Sequence, residues 1–431
     1  MPRKIKMSIS IQSIQASEIL DSRGNPTLKV RVQLTHGIQG EAAVPSGVST
    51  GKFEAVELRD HDPMRYQGKG VLTAISHVNT IIAPKLQGLE VFERQKELDQ
   101  LMIQLDGTSN KEKLGANAIV GVSQAISRAA ANAYGVSLYE YLGGDKATRL
   151  PMPMVNIING GKHAFNTLDF QEFMIVPIGA PTFAEALRYC VETFNCLRDI
   201  LLEHHYEVGI GDEGGFAPKL KSNEEACELI IQAIERAHFK PGEDIAIALD
   251  PAATSFYTKD HYHCRGSKHQ QKSNELIELY KTWINQYPIV SIEDGLADTD
   301  WQGFHDMTHD LGERLQIVGD DILVTSPKFI RRAIKEKTCN AALIKLNQIG
   351  TVSETIDAIN LCRQADWNFI ISHRSGETND SFIADFAVAM GGGQIKTGSV
   401  CRGERMAKYN RLLEIEQELG DKALFMNPLK K

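Results

Sequence analysis

The rhythm of apolar and polar positions changes near residue 145. Upstream, "IQSIQASEILDSRGNPTLKVRVQLTHGIQGEAAVP" alternates with period two and is interrupted by turn signals at "SRGNP" and "THG". Side chains of a strand point to opposite faces in turn, so this pattern predicts antiparallel strands. "NAIVGVSQAISRAAANAYGV" follows with helical spacing and many alanines, which predicts a helix packed closely against its neighbours. Residues 1–144 therefore read as an α+β domain.

Downstream, short apolar runs end abruptly in polar groups. "IAIALD" ends at Asp250, "PIVSIED" at Glu293 and Asp294, and "LQIVGDD" at Asp320 and Asp321. "AALIKL" carries Lys345, "NFIISHRS" ends at His373, Arg374 and Ser375, and "GQIKTGS" carries Lys396. Earlier runs, "MPMVNIING", "EFMIVPI" and "YEVGIGDEGG", extend the series. Between the later runs lie segments with apolar residues three or four apart, such as "SPKFIRRAIKEK", "VSETIDAINLCRQA" and "TNDSFIADFAVAMG". Strand then helix, repeated about every 25 residues, is the βα unit of a parallel barrel, whose chemistry sits at the C-terminal ends of its strands. Residues 145–431 are expected to form that barrel, with the polar strand ends gathered in one mouth.

Composition narrows the picture. The chain has 431 residues, 42% hydrophobic and 24% charged, an ordinary globular balance spread over two domains. A net charge of −8 argues against a general nucleic-acid surface. No apolar stretch reaches the roughly 20 residues of a membrane span. "MPRKIKMSIS" is basic but lacks the apolar core of a signal peptide and reads as a short tail. Seven scattered cysteines with no Cys-x-x-Cys pair predict reduced thiols and a cytoplasmic protein.

The strand ends then suggest a chemistry. Asp250, Glu293 and Asp320 are hard oxygen donors without His or Cys at ligand spacing, a set that suits Mg²⁺. "GIGDEGGFAP" sets Asp212 and Glu213 among glycines, where a carboxyl of raised pKa would serve as a general acid and an unperturbed one would be a solvated turn residue. Lys345 and Lys396 share the mouth with a metal, so their pKa values are expected to fall, and an amine of lowered pKa can act as a base. A base, an acid and Mg²⁺ suit proton abstraction beside a carboxylate followed by elimination. Arg374 can grip a phosphate or carboxylate with its planar fork.

Two motifs resolve differently. "PSGVSTGK" has three residues between Gly47 and Gly51 where a P-loop needs four, and Phe53 follows Lys52, so it reads as a Gly/Ser loop able to close as a lid. "HYHCRGSKH", residues 261–269, holds three histidines and a cysteine and is either a polar surface loop or a zinc ligand set.

The stretches "EILDSRGNPT", "AAVPSGVSTGKFEAVELRD", "LGANAIVGVS", "NGGKHAFN", "QEFM", "GDEGGFAP", "SIEDGLADTDW", "VGDDILVT", "IKLNQIGT", "SHRSGET", "IKTGS" and "ERMAKYN" together resemble the enolase family over nearly the whole chain. The resemblance implies an irregular barrel that opens with two strands and two helices. It implies a glycolytic hydro-lyase that interconverts 2-phosphoglycerate and phosphoenolpyruvate, working as a homodimer or a ring of dimers. It assigns Lys345 as the base at C2 and Glu213 as the acid for the departing hydroxide, with Glu172 and His163 completing that side. Gln171, His373, Arg374, Ser375 and Lys396 would bind substrate. Asp250, Glu293 and Asp320 would hold one Mg²⁺, and Ser49 on the lid would reach a second. His163 and Glu172 come from the resemblance alone. A racemase or sugar-acid dehydratase of related chemistry, and a non-catalytic scaffold, are the competing readings.

Overall fold

A computed structural model describes residues 9–47, 53–164, 166–265 and 270–429. Ser49, most of the basic N-terminal tail and residues 266–269 of the His-rich segment lie outside the described residues.

The N-terminal unit is built on an antiparallel sheet of β1 (Ile11–Leu20), β2 (Pro26–Leu34) and β3 (Gln39–Ala43), in that order. The turns fall at the predicted places, between Leu20 and Pro26 and at Thr35–Gly37. Helix α1 (Gln95–Asp106) precedes the Ala-rich α2 (Ala116–Tyr134), whose residues from Ala116 through Ser127 are all buried. A Cβ at Gly40 would run into the Ala129 backbone, so glycine and alanine together let this helix lie directly on β3.

Eight strands close into a barrel: β4 (Met152–Asn159), β5 (Glu172–Val176), β6 (Ala246–Asp250), β7 (Ile289–Glu293), β8 (Gln316–Gly319), β9 (Ala341–Ile344), β10 (Asn368–Ser372) and β11 (Gln394–Lys396). β5 runs antiparallel to both β4 and β6, and the remaining pairs are parallel. Two helices, α3 (Phe183–Glu203) and α4 (Asn223–Arg236), separate β5 from β6. Thereafter strand and helix alternate, through α5 (Ser273–Gln286), α6 (Trp301–Leu311), α7 (Pro327–Glu336), α8 (Val352–Gln364), α9 (Phe382–Ala389) and α10 (Gly403–Leu419).

One expected strand is not there. "YEVGIGDEGG" is a loop between α3 and α4, held by isolated bridges of Phe216 to Ile158 and Ile210. Its alternation mimics a strand, but Gly211 donates to the Gly215 carbonyl across a tight turn, and Gly214 has φ 91°. A turn that returns on itself within four residues cannot extend a sheet.

Inside the barrel the period of two decides everything. Met152, Met154, Met174, Val176, Ala248, Val318, Ala341, Leu343 and Ile370 form an apolar floor. Two residues further toward the mouth, on the same face of their strands, come Glu172, Asp250, Asp320, Lys345 and Ser372.

Candidate active site

The mouth is a small cavity lined by His163, Gln171, Glu172, Glu213, Asp250, Glu293, Asp320, Lys345, Ser372, His373, Arg374, Ser375 and Lys396. Twelve of these were singled out from the sequence; Ser372 was missed, although it stands two residues beyond inward-facing Ile370. A larger groove near Arg128 and Arg411 is less suited to chemistry, because those guanidiniums are paired with Asp380 and Asp385.

On one wall, Asp250, Glu293 and Asp320 come from the neighbouring strands β6, β7 and β8. Lys396 Nζ lies 3.0 Å from Asp250 Oδ2, 2.9 Å from each Glu293 oxygen and 3.2 Å from Glu172 Oε1. Lys345 Nζ is 2.6 Å from Asp320 Oδ2. Both amines are therefore shifted upward by the side chains around them, whereas the sequence reading expected a fall beside a metal ion. Burial alone would lower them, but the adjoining carboxylates, led by Asp320 for Lys345 and Asp250 for Lys396, outweigh it.

Next to Asp250, whose strand pairs with β5 at Glu172, come His163, Glu172 and Glu213. His163 Nδ1 lies 3.7 Å from Glu172 Oε1 and 3.6 Å from Glu213 Oε1. Glu213 is delivered by its loop, whose close docking is set by Gly214; a Cβ there would meet Cys401 Sγ and Ser399 Cβ at 3.0 Å. Asn156 Nδ2 donates to Glu213 Oε2 at 3.2 Å. Two buried carboxyls this close do not both ionise readily. Burial and the charge of Glu213 raise Glu172 well above the usual carboxyl range. Glu213 moves the other way: burial raises it, but the facing His373 and His163 rings and Arg405 bring it well below. The raised carboxyl of the pair is thus Glu172, where the sequence reading had attached that condition to Glu213.

His373 has a defined tautomer. Arg405 Nη1 donates to its Nδ1 at 2.6 Å, and an arginine only donates, so Nδ1 accepts and the ring proton sits on Nε2. That Nε2 faces Glu213 Oε2 at 3.4 Å. Burial brings the His373 pKa down to about 4 despite Glu213. Arg405 also donates to the carbonyls of Arg374, Ser375 and Asp212, tying the "GDEGG" loop to the "SHRS" strand end. It escaped sequence reasoning because a charged residue on a helix reads as solvated. Yet Arg405, Tyr409 and Leu412 fall at helical spacing on the buried face of α10.

The donor set fits a divalent cation. Glu172, Glu213, Asp250, Glu293, Asp294 and Asp320 are all buried, against the ammonium groups of Lys345 and Lys396 and the guanidinium of Arg374 among the described residues at the mouth. Gln171 Oε1, Glu172 Oε2 and His163 Nδ1 have no hydrogen-bond partner among the described residues, an arrangement that a bound ligand would complete. Oxygen donors in this number match Mg²⁺ chemistry. Asp294, Asp320 and Asp321 also lie close together, Asp294 and Asp320 being shared with that set.

The enolase C-terminal TIM barrel domain model matches residues 147–429, and the enolase N-terminal domain model matches residues 11–142. The chain belongs to the enolase family. Enolase 1 of Methylococcus capsulatus is 63% identical over 420 residues, covering 97% of this chain and 100% of that protein. An enolase of Desulfotalea psychrophila is 56% identical over 422 residues, with 97% and 100% covered. The family's barrel domain coincides with the closed barrel described above, including its eight strands. No helix among the described residues is long and apolar enough to cross a membrane.

Proposed function

We propose that this enolase-family chain catalyses the reversible dehydration of 2-phosphoglycerate to phosphoenolpyruvate, in glycolysis and its reversal. The observation that carries the reading is the convergence of two lysines, three hard carboxylates and the His163–Glu172–Glu213 group in one mouth. Asp250, Glu293 and Asp320 would hold Mg²⁺, which would supply positive charge against the carboxylate as negative charge develops there. Ser49, outside the described residues, is retained from the family resemblance as a candidate ligand of a second such ion.

Arg374 and Ser375 bind the phosphate, Lys396 the carboxylate, and Gln171 and His373 the remaining substrate face. Lys345 removes the C2 proton. Its 2.6 Å pair with Asp320 holds the amine protonated, so the base form requires that pair to loosen. The hydroxide leaves with a proton from the Glu172–Glu213 pair. The two carboxyls act as a coupled unit: Glu172 stores the proton at rest, and Glu213 is the acid nearest the leaving group. His163 bridges them. The unit 1–144 serves as a cap on the barrel 145–431, a reading supported by the bond from Ala55 N to the Gln348 carbonyl. Free cysteines support a cytoplasmic enzyme, and a homodimer or ring of dimers completes the reading.

The test is turnover of 2-phosphoglycerate, followed as phosphoenolpyruvate formed, with and without Mg²⁺. Mg²⁺-dependent product formation is expected. Turnover of another acid in preference, or none at any Mg²⁺ concentration, would replace this reading with a related racemase or dehydratase, or with a scaffold.

A further inference from the structure

The guanidinium of Arg374 is buried and already held. Its Nη1 donates to Glu54 Oε2 at 2.9 Å and to Asn347 Oδ1 at 3.0 Å, and its Nη2 lies 3.4 Å from Glu54 Oε1. Glu54 belongs to the N-terminal unit, 320 residues away in sequence, and its side chain is 6% exposed. Arg374 lines the active-site cavity, whereas Glu54 is not among the residues facing it. The carboxylate therefore supports the fork from behind.

The same carboxylate reaches a second site residue. Gln348 Nε2 donates to Glu54 Oε1 at 3.3 Å and to Asp320 Oδ1 at 2.9 Å. Its Oε1 accepts from Thr325 Oγ1 at 2.7 Å, which fixes the orientation of the amide. Ala55 N donates to the Gln348 carbonyl at 2.8 Å, so the backbones are joined too. Asp320 in turn pairs with Lys345. Gln348 is 1% exposed, and a buried amide between two carboxylates is costly unless every group is satisfied, as here. The turn "KLNQIG" thus sends three side chains three ways: Lys345 into the mouth, Asn347 to Arg374, and Gln348 to Asp320 and Glu54.

We propose that Glu54 and Gln348 are positioning residues for the dehydration, Glu54 setting the guanidinium that receives the substrate phosphate and Gln348 setting the Asp320 carboxylate toward the divalent cation. The inference rests on the function proposed above. It makes the N-terminal unit a working part of the site: its Glu54 aims a barrel arginine, and the shared Gln348 amide couples that arm to the metal wall. A guanidinium aimed by a charged partner loses little freedom when it binds a dianion, and a misaimed one loses affinity even with its charge intact.

The two arms separate experimentally. Glu54→Gln should raise KM for 2-phosphoglycerate about 10-fold, with kcat changed less than about 3-fold, and Glu54→Asp should recover part of the loss. Gln348→Met, close in volume, should weaken Mg²⁺ binding to the metal-stripped full chain about 10-fold by titration calorimetry, while the melting temperature of the metal-stripped chain stays near wild type. A KM for Glu54→Gln that is unchanged or lower would overturn the positioning role, the lower value meaning that Glu54 competes with phosphate. Unaltered Mg²⁺ affinity in Gln348→Met would overturn the second arm. Arg374→Lys and Asp320→Ala run alongside as references. If those two are also without effect, the site assignment itself has failed, and not the inference built on it.

Discussion

The two ends of the barrel interior are made by the same strands, in the same register, yet share almost no chemistry. At the floor, Met154, Met174, Ala248, Val318, Leu343 and Ile370 touch one another. Two residues on, the same faces present Glu172, Asp250, Asp320, Lys345 and Ser372. The floor is filled by dispersion and burial, which stabilise wherever the shapes fit. The mouth buries charges that favour folding only so far as each finds a partner. The difference locates function within a single strand: stability is held at one end and chemistry at the other, about 7 Å apart along β9 at the usual rise per strand residue.

Lys345 and Leu343 put that division to the strongest test, since both face inward on one strand. Lys345→Ala is expected to lower turnover at least about 10³-fold and to stop exchange of the C2 hydrogen with solvent deuterium. Its melting temperature should hardly fall. If saturating Mg²⁺ restores exchange, Lys345 serves Asp320 and not the substrate. Leu343→Ala should do the opposite, destabilising by about 2–5 kcal/mol in denaturant titration while kcat per folded molecule is retained. Loss of kcat in the folded Leu343 variant would show that floor and mouth are not separable.

Arg374→Lys comes next in size. A point charge cannot reproduce a fork that meets Glu54, Asn347 and an incoming phosphate together. A rise in KM of about 10–100-fold is expected from steady-state kinetics. Equal constants for both residues would remove the phosphate role.

Much of this division was legible in the sequence, for a physical reason. A strand buried on its inner face tolerates a carboxylate or ammonium only at its open end, so "IALD", "SIE" and "LIK" mark the mouth by themselves. Glu213 was found, but on a loop that had been read as a strand, because "YEVGI" alternates without pairing. His163 and Glu172 carried no local signal. His163 stands in a short turn after Gly160, and Glu172 opens the one antiparallel strand, so its polar end precedes the apolar run and does not follow it. Glu54 went unseen because its partner is distant in sequence: it meets Arg374 across 320 residues. The direction of the lysine shifts was also hidden. It depends on ångström distances to Asp320, Asp250 and Glu293 that no spacing supplies.

The smallest expected effect comes from a buried charge outside the mouth, and it asks whether burial of a carboxylate is by itself a mark of function. Asp99 on α1 is fully buried and accepts from Ser353 N at 3.0 Å, from Ser353 Oγ at 2.6 Å and from Gln95 Nε2 at 3.0 Å. It caps the first turn of α8 from the neighbouring unit. Burial raises its pKa from 3.8 to about 6, with the bonds from Ser353, Ser123 and Gln95 acting against the rise. A carboxyl whose pKa is raised on folding binds its proton more tightly in the native state. Its contribution is complete below the unfolded value and is lost as pH climbs through about 6. Wild-type stability should therefore fall by about 2–3 kcal/mol between pH 4 and pH 8 from this group alone. Asp99→Asn removes the titration, so the stability difference between wild type and variant should shrink over that interval in parallel denaturant titrations. Turnover at pH 7 should stay within about 2-fold, because α1 holds the seam and not the substrate. Parallel stability curves would mean that Asp99 is ionised throughout and that its hydrogen bonds outweigh its burial. A large loss of turnover with intact stability would extend the functional charges beyond the mouth and dissolve the contrast between the barrel's two ends.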